Sequence, residues 1–266
     1  RRFKEIMESI DPKDIKMWSR MGPRAMFGQF MIDLAKKNED IIVLSADLGR
    51  SSGLDRFKTL FPDQYISVGI SEQNLIGVAS GLAKEGYKVF VTSFAPFLSM
   101  RASEQVRMNL GYMELGVNLV ALGSGLSMAY LGNSHFGLED VAVMRSIPNI
   151  NISCPADCLE LLKVLQDYEK NDRGPSYIRL TGIPGCTPTY DKDFDFKFGK
   201  YVSLREGKDL IIVATGSIVS EAKKATEVLT ELDFSVALVN INTIKPLDKT
   251  FVNKISKFPD VFVVEE

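Results

Sequence analysis

The chain has 266 residues, 45% of them hydrophobic, so one or two domains have enough apolar material for a substantial core. Its 32 Lys and Arg against 34 Asp and Glu leave a formal charge of −2, and the basic residues are scattered, which argues against a nucleic-acid surface. No stretch approaches the roughly 18 uninterrupted apolar residues of a membrane helix, and three cysteines with one histidine suit a reducing compartment better than a disulfide framework or a zinc site. The start RRFKEIMESI lacks the apolar core of a secretory leader, so a cytoplasmic location is expected. With no initiating Met and a stop at the strand-like VFVVEE, we expect a sequence incomplete at one or both ends.

Residues 1–19 read as a helical arm with a loose stripe of Phe3, Ile6, Met7, Ile10, Ile15 and Met17, anchored by Trp18. Gly22-Pro23 starts a helix over 20–37, in which Met26, Phe27, Phe30, Met31 and Leu34 recur at helical spacing. IIVLSADL (41–48) is a buried strand ending in Asp47, followed by the loop GRSSG, a short helix over 54–61 and a strand over 65–68. Gly69 and the turn at Ser71 lead into a small-residue helix closed by Gly86. YKVFVTSF (87–94) is a strand, 97–111 a helix, and VNLVALGSG (117–125) a strand entering a glycine-rich loop. Residues 135–146 read as mostly helix, 150–157 as strand and turn, 159–168 as helix and 175–182 as strand.

This alternation predicts an α/β fold with an open, mainly parallel sheet flanked by helices over 20–185. Residues 186–207, with the run DKDFDFKFGK, read as a linker holding an edge strand. A second, smaller α/β domain is expected over 208–266, with strands in DLIIVATG, FSVALVNI and VFVVEE.

Chemistry-bearing residues gather where open sheets place ligands, at the C-terminal ends of strands. These are Asp47, Glu72, Phe94, Phe97, the loop 123–135 with His135, and Arg179. Glu72 opens a helix beside a strand end, where partial burial favours a protonated carboxyl able to donate. It equally suits a carboxylate that stabilises the helix N-terminus. Phe94 and Phe97 read as core or as a wall for a flat heteroaromatic, His135 as a helix-start residue or a catalyst, and Arg179 as an exposed charge or a phosphate ligand. No G-x-G-x-x-G opens a helix after the first strand, G-x-x-x-x-G-K-[ST] is absent, and His135 has no G-x-S-x-G serine to serve.

GISEQNLIGVASGLAKEGYKVFVTSFAPF, NSHFGLEDVAVMRSIPNINISCPAD and SYIRLTG, in this order, resemble the pyrimidine-binding half of transketolase over about residues 20–182. The sequence from 208 onward resembles the start of that family's C-terminal domain, and the whole is similar to the separate C-terminal subunit of split transketolases. The resemblance implies the thiamine-diphosphate-binding fold, pyrimidine module, and a transferase that moves a two-carbon ketol unit between phosphorylated sugars. It implies that Glu72 hydrogen-bonds N1′ of the aminopyrimidine, promoting proton loss from thiazolium C2. Phe94 and Phe97 then wall the pyrimidine, and Asp47 is an acid near the cofactor. His135 faces substrate, and Arg24, Ser51 and Arg179 hold the sugar phosphate.

The family's G-D-G…N motif for the diphosphate and its metal is absent, so Mg2+ ligands are expected on a partner chain that carries GDG, in an α2β2 heterotetramer. Full-length transketolases have an aspartate and a second histidine where Leu131 and Gly123 stand, and Pro-Thr where Asn133-Ser134 stand, which points to a non-standard sugar. The alternatives are a 2-oxoacid dehydrogenase β subunit, a deoxyxylulose-phosphate synthase-like enzyme, or a catalytically silent subunit. Arg24 and Arg179 favour a phosphosugar over the first, and Glu72, both phenylalanines and His135 argue against the last.

Overall fold

The computed structural model describes residues 10–266. Asp11 caps α1 (Pro12–Met21) by accepting from the Lys13 amide at 2.7 Å. Gly22, at φ +81°, ends α1, and Pro23 opens α2 (Pro23–Ala35). Arg20 and Met21 therefore belong to the first helix rather than the second. Trp18 anchors α1 within the chain, 2% exposed and edge-on to Phe30 at 5.3 Å. Phe3, Ile6 and Met7 of the expected arm lie outside the described residues.

Six strands follow: β1 (Ile41–Ser45), β2 (Tyr65–Ser67), β3 (Lys88–Phe94), β4 (Val117–Ser124), β5 (Asn151–Ser153) and β6 (Ser176–Thr181). They lie side by side as β5-β6-β4-β3-β1-β2, all parallel. Alternation sorts their side chains onto two apolar faces. Phe90, Phe94, Val120 and Leu122 join α1, α2 and α6 (Cys158–Lys170) in one core. Val89, Val91, Val117, Leu119 and Ala121 join α4 (Glu72–Lys84) and the helical segment 97–112 in the other. The remaining helices of this layer are α3 (Asp55–Leu60) and α5 (Asp140–Ser146).

A second sheet of order β11-β8-β9-β7 combines β7 (Val202–Arg205), β8 (Leu210–Ala214), β9 (Val236–Asn240) and β11 (Asp260–Val264), with only β7 antiparallel. α7 (Val219–Glu231) and α8 (Lys249–Ile255) flank it. β10 (Thr243–Lys245) leaves this sheet and pairs antiparallel with β5, so the C-terminal part supplies an edge strand to the first sheet. Among the described residues no helix is long and apolar enough to cross a membrane.

Two segments differ from the sequence reading. Within 135–146 the α-helix starts only at Asp140: His135 ends a 3-10 turn (Asn133–His135), and Gly137 pairs with Gly125 through hydrogen bonds of 2.8 and 2.9 Å that close the 125–137 loop. The segment 186–207 does hold an edge strand, β7, but it is also a packed strap. Phe194 stacks on Tyr190 at 4.0 Å, and Phe198 meets Tyr168 edge-on at 5.7 Å. Phe194, Phe196 and Phe198 recur every second residue, so an extended chain turns all three toward the core.

A buried polar cluster ties strap, first sheet and C-terminal part together. Glu160 of α6, with no exposed surface, accepts hydrogen bonds from the Tyr190 hydroxyl at 2.9 Å, Asn242 at 2.9 Å, Asn240 at 3.0 Å and the Ala156 amide at 2.7 Å. Burial, reinforced by the nearby Asp157 charge, pushes the Glu160 carboxyl up to about 7 from an ordinary 4.5. Burial likewise raises Asp157. Between those two values the native chain binds more protons than the unfolded one, so stability is full below about pH 4.5 and falls as pH rises toward 7. Urea unfolding should show a loss of about 3 kcal/mol across that range, and Glu160→Gln should flatten it. An equally steep slope in the variant would place the titration elsewhere.

Candidate active site

β6, β4, β3 and β1 are neighbours, and their C-terminal ends open onto one edge of the sheet. Glu72 is the first residue of α4 and is 2% exposed, fully rather than half buried. Its Oε1 accepts from the Ser93 hydroxyl at 3.3 Å, and its Oε2 from Arg101 Nη1 at 2.9 Å. The Arg101 guanidinium also lies over the Phe97 ring, 4.1 Å from its centroid. Arg101 was not foreseen from the sequence, although its spacing of four from Phe97 on a helical segment was a usable signal.

Phe94, Phe97 and His135 form a closed triangle of edge-to-face rings, with centroids 5.9, 5.4 and 5.1 Å apart. The Ser134 hydroxyl stands 3.0 Å from His135 Nδ1, leaving Nε2 as the ring's other polar atom. A cleft of about 460 Å³ opens here, lined by Phe97, Met100, Arg101, Asn133, Ser134 and Phe136. Glu72, Phe94, Phe97 and His135 thus come together through Arg101 and the ring triangle.

Whether an aminopyrimidine suits this place can be judged from Arg101. Its guanidinium is flat, stacks on Phe97 and donates to Glu72, which are the two contacts a nitrogen heterocycle would make with the same side chains. The residues present therefore fit such a ring in place of the Arg101 guanidinium, whose side chain is 47% exposed. Asp47 ends β1 on the same edge, exposed and at φ +60°, a conformation uncommon outside glycine.

Arg24 and Ser51 line a cavity of about 150 Å³ with Arg50, Gly53 and Ile183. A Cβ on Gly28 would lie 1.9 Å from the Gly53 carbonyl, so glycine at position 28 lets α2 approach the 49–53 loop and bring Arg24 to Ser51. Arg179 is not with them. It is 4% exposed rather than a free strand-end charge. Its Nε donates to Asp140 Oδ2 at 2.9 Å, and its Nη2 to the Gly137 and Glu266 carbonyls at 3.0 Å. The exposed strand-end charge expected at Arg179 is corrected accordingly: these groups turn the guanidinium inward as an internal ion pair, and its phosphate role stays a proposal. At Gly123, φ is +72° and a Cβ would lie 2.6 Å from Met128 Cγ, so this place holds no larger residue without moving Met128.

A family model described as the transketolase pyrimidine binding domain matches residues 20–182, and one described as the transketolase C-terminal domain matches 199–266. The chain belongs to the transketolase family. A transketolase C-terminal section from Methanocaldococcus jannaschii is 38% identical over 92% of this chain and 77% of its own length. A 6-deoxy-6-sulfo-D-fructose transketolase subunit from a Clostridium species is 36% identical over 86% of this chain and 70% of its own. A solved split-gene transketolase, titled an inactive β4 tetramer, superposes with a TM-score of 0.83 at 32% identity, covering 92% of this chain and 80% of that one. This transketolase chain accordingly corresponds to the C-terminal section of a split enzyme, a thiamine-diphosphate-dependent transferase that works with an N-terminal partner subunit.

Proposed function

We propose that this transketolase subunit transfers a two-carbon ketol unit between phosphorylated sugars, and that it holds the aminopyrimidine half of thiamine diphosphate. The observation that carries this is the buried Glu72 carboxylate beside Phe97, with a planar cation already occupying both contacts. Bound thiamine diphosphate supplies the nucleophilic thiazolium carbon that carries the two-carbon unit. Glu72 shares a proton with ring nitrogen N1′, Phe94 and Phe97 exclude water from the ring, and Asp47 approaches from the end of β1. His135, oriented by Ser134 and the two phenyl rings, presents a hydrogen-bonding nitrogen to the sugar.

Mg2+ and the diphosphate fall to the partner, expected to carry GDG within a cytoplasmic α2β2 heterotetramer. The inactive β4 assembly of the solved split-gene relative supports the need for that partner. Leu131 and Gly123 offer no polar side chain toward the donor's hydroxyls, which favours a sugar other than the common ketoses. The curated relatives include proteins named as a 6-deoxy-6-sulfo-D-fructose transketolase subunit and as apulose-4-phosphate transketolase subunits, names that carry uncommon sugars.

A single assay tests this reading: the chain, a GDG-bearing partner and thiamine diphosphate, with an aldose phosphate acceptor, offered a panel of phosphorylated or sulfonated ketoses (xylulose 5-phosphate among them) or a simple 2-oxoacid as donor. Ketol transfer only when all three are present is the expected result. Turnover with the 2-oxoacid alone would instead favour the synthase-like reading. Arg24→Ala should raise KM for phosphorylated substrates roughly 10- to 100-fold, the range for a hydrogen bond to a charged group, with little change for unphosphorylated sugars. Equal effects on both would remove Arg24 from phosphate binding.

A further inference from the structure

Cys158 and Cys186 are far apart in the chain yet their sulfurs lie 3.5 Å from one another. Cys158, at the start of α6, is 1% exposed, and its thiol also points to the Trp18 carbonyl of α1 at 3.4 Å. Cys186 is partly exposed and opens into a cleft of about 670 Å³, whose wall includes Lys16 and Arg20. Its amide donates to the Ser19 carbonyl at 2.8 Å, which holds the residue against the end of α1. The third cysteine, Cys154, is a free thiol, 1% exposed, with a hydrogen bond to Thr215.

We propose that Cys158 and Cys186 form a peroxide-sensitive dithiol, with Cys186 as the sulfur that peroxide reaches from the cleft and Cys158 as the resolving thiol. The Cys186 thiolate attacks one oxygen of hydrogen peroxide, the O–O bond breaks, the departing hydroxide takes up the thiol's proton as water, and Cys186 becomes a sulfenic acid. Cys158 sulfur then attacks the Cys186 sulfur, and the S–O bond breaks. The Cys158 proton leaves with the hydroxyl as water. One hydrogen peroxide is thus reduced to two waters while two thiols become one disulfide, and a dithiol reductant reverses the change. The division of labour follows the geometry. The Cys158 hydrogen bond holds the Cys186 thiol below its ordinary range, and that same bond, with burial, holds Cys158 well above its own. Burial pushes Cys154 up to about 12 and leaves it inert. Forming the bond brings the sulfurs about 1.5 Å closer than their present contact. The loop that must follow is 183–186, and its Ile183 and Pro184 also wall the Arg24–Ser51 cavity. Oxidation therefore reaches the site from a loop that no catalytic side chain occupies.

The full chain, reduced, treated with hydrogen peroxide, quenched, denatured and alkylated, decides the matter by intact mass and peptide mapping. Before treatment all three cysteines should take the alkyl label. Afterwards only Cys154 should, a loss of two labelled sites with a 158–186 cross-linked peptide, and dithiothreitol should restore them. Cys158→Ser should abolish the cross-link and leave a Cys186 sulfenic acid that dimedone traps; Cys186→Ser should leave Cys158 unoxidised over the same exposure. Three labelled thiols after peroxide, oxidation of Cys186 beyond sulfenic acid in the wild-type chain, or a bridge to Cys154 or between chains would each overturn the proposal. Thermal unfolding of the wild-type chain adds an independent readout, since an intrachain bond closing this loop should raise the midpoint of the oxidised form.

Discussion

Glu72→Gln is expected to cut ketol transfer by 10²–10⁴-fold, the usual cost of losing general acid–base help, while leaving the chain folded. The amide fills the same volume; its Oε1 can still accept from Arg101 while its Nε2 donates to the Ser93 hydroxyl, so the buried pocket keeps its polar partners. What it cannot do is take up or release a proton at the ring nitrogen. The loss should therefore fall on kcat, with the urea unfolding midpoint close to wild type and thiamine diphosphate still bound at raised concentration. Turnover within about threefold of wild type would end the N1′ assignment. Glu72→Ala offers a contrast, because it leaves Ser93 and Arg101 facing a void, and it should lose stability as well as rate.

Much of this arrangement was legible in the sequence because it is set by local rules. Apolar runs of five to eight residues alternating with helical stretches specify a parallel sheet, and such a sheet brings Glu72, Phe94 and the 123–135 loop to one edge whatever the distant packing does. Phe27 and Phe30 were core candidates by spacing and Trp18 an anchor for the first helix, and all three are buried. Three features were harder to read, each for a physical reason. Arg101 looks like a solvated helix charge until Glu72 and Phe97 are placed beside it. DKDFDFKF looks like a linker by its charge, and the period-two phenylalanines matter only if the chain is extended there. Residues 135–146 look helical, but Gly137 is claimed by Gly125 through a bridge that depends on how β4 ends.

Arg179 is the clearest case, because its environment is supplied by Asp140, 39 residues away. A strand-end arginine is exposed unless something buried neutralises it, and nothing in SYIRLTG says that a carboxylate with no exposed surface waits at the start of α5. Asp140 Oδ2 accepts from both the Tyr177 hydroxyl at 2.8 Å and Arg179, so one carboxylate orders two strand residues behind the active site. Through Arg179 it also holds the Gly137 carbonyl, and with it the loop that ends at His135. On the role proposed for His135, Asp140 would act as a positioning residue for the histidine, with Arg179 as its counter-charge.

The expected result for Asp140→Ala is a loss of about 3–5 kcal/mol in urea unfolding, because an arginine with 4% exposure is left without its carboxylate. Asp140→Asn keeps an acceptor of the same shape and should cost less. The double variant Asp140→Ala/Arg179→Met removes the stranded charge and should recover a large part of the loss, as replacement of both members of a buried pair often does. A loss under about 1 kcal/mol in Asp140→Ala would show that the pair contributes little to the fold. Arg179 would then be free to turn outward, and the phosphate role first read from the sequence would return as the better account. Enzyme assays on Asp140→Asn separate the two accounts further. A loosened 123–137 loop lowers kcat for phosphorylated and free sugars alike through His135, whereas a released phosphate ligand alters KM for the phosphorylated ones alone.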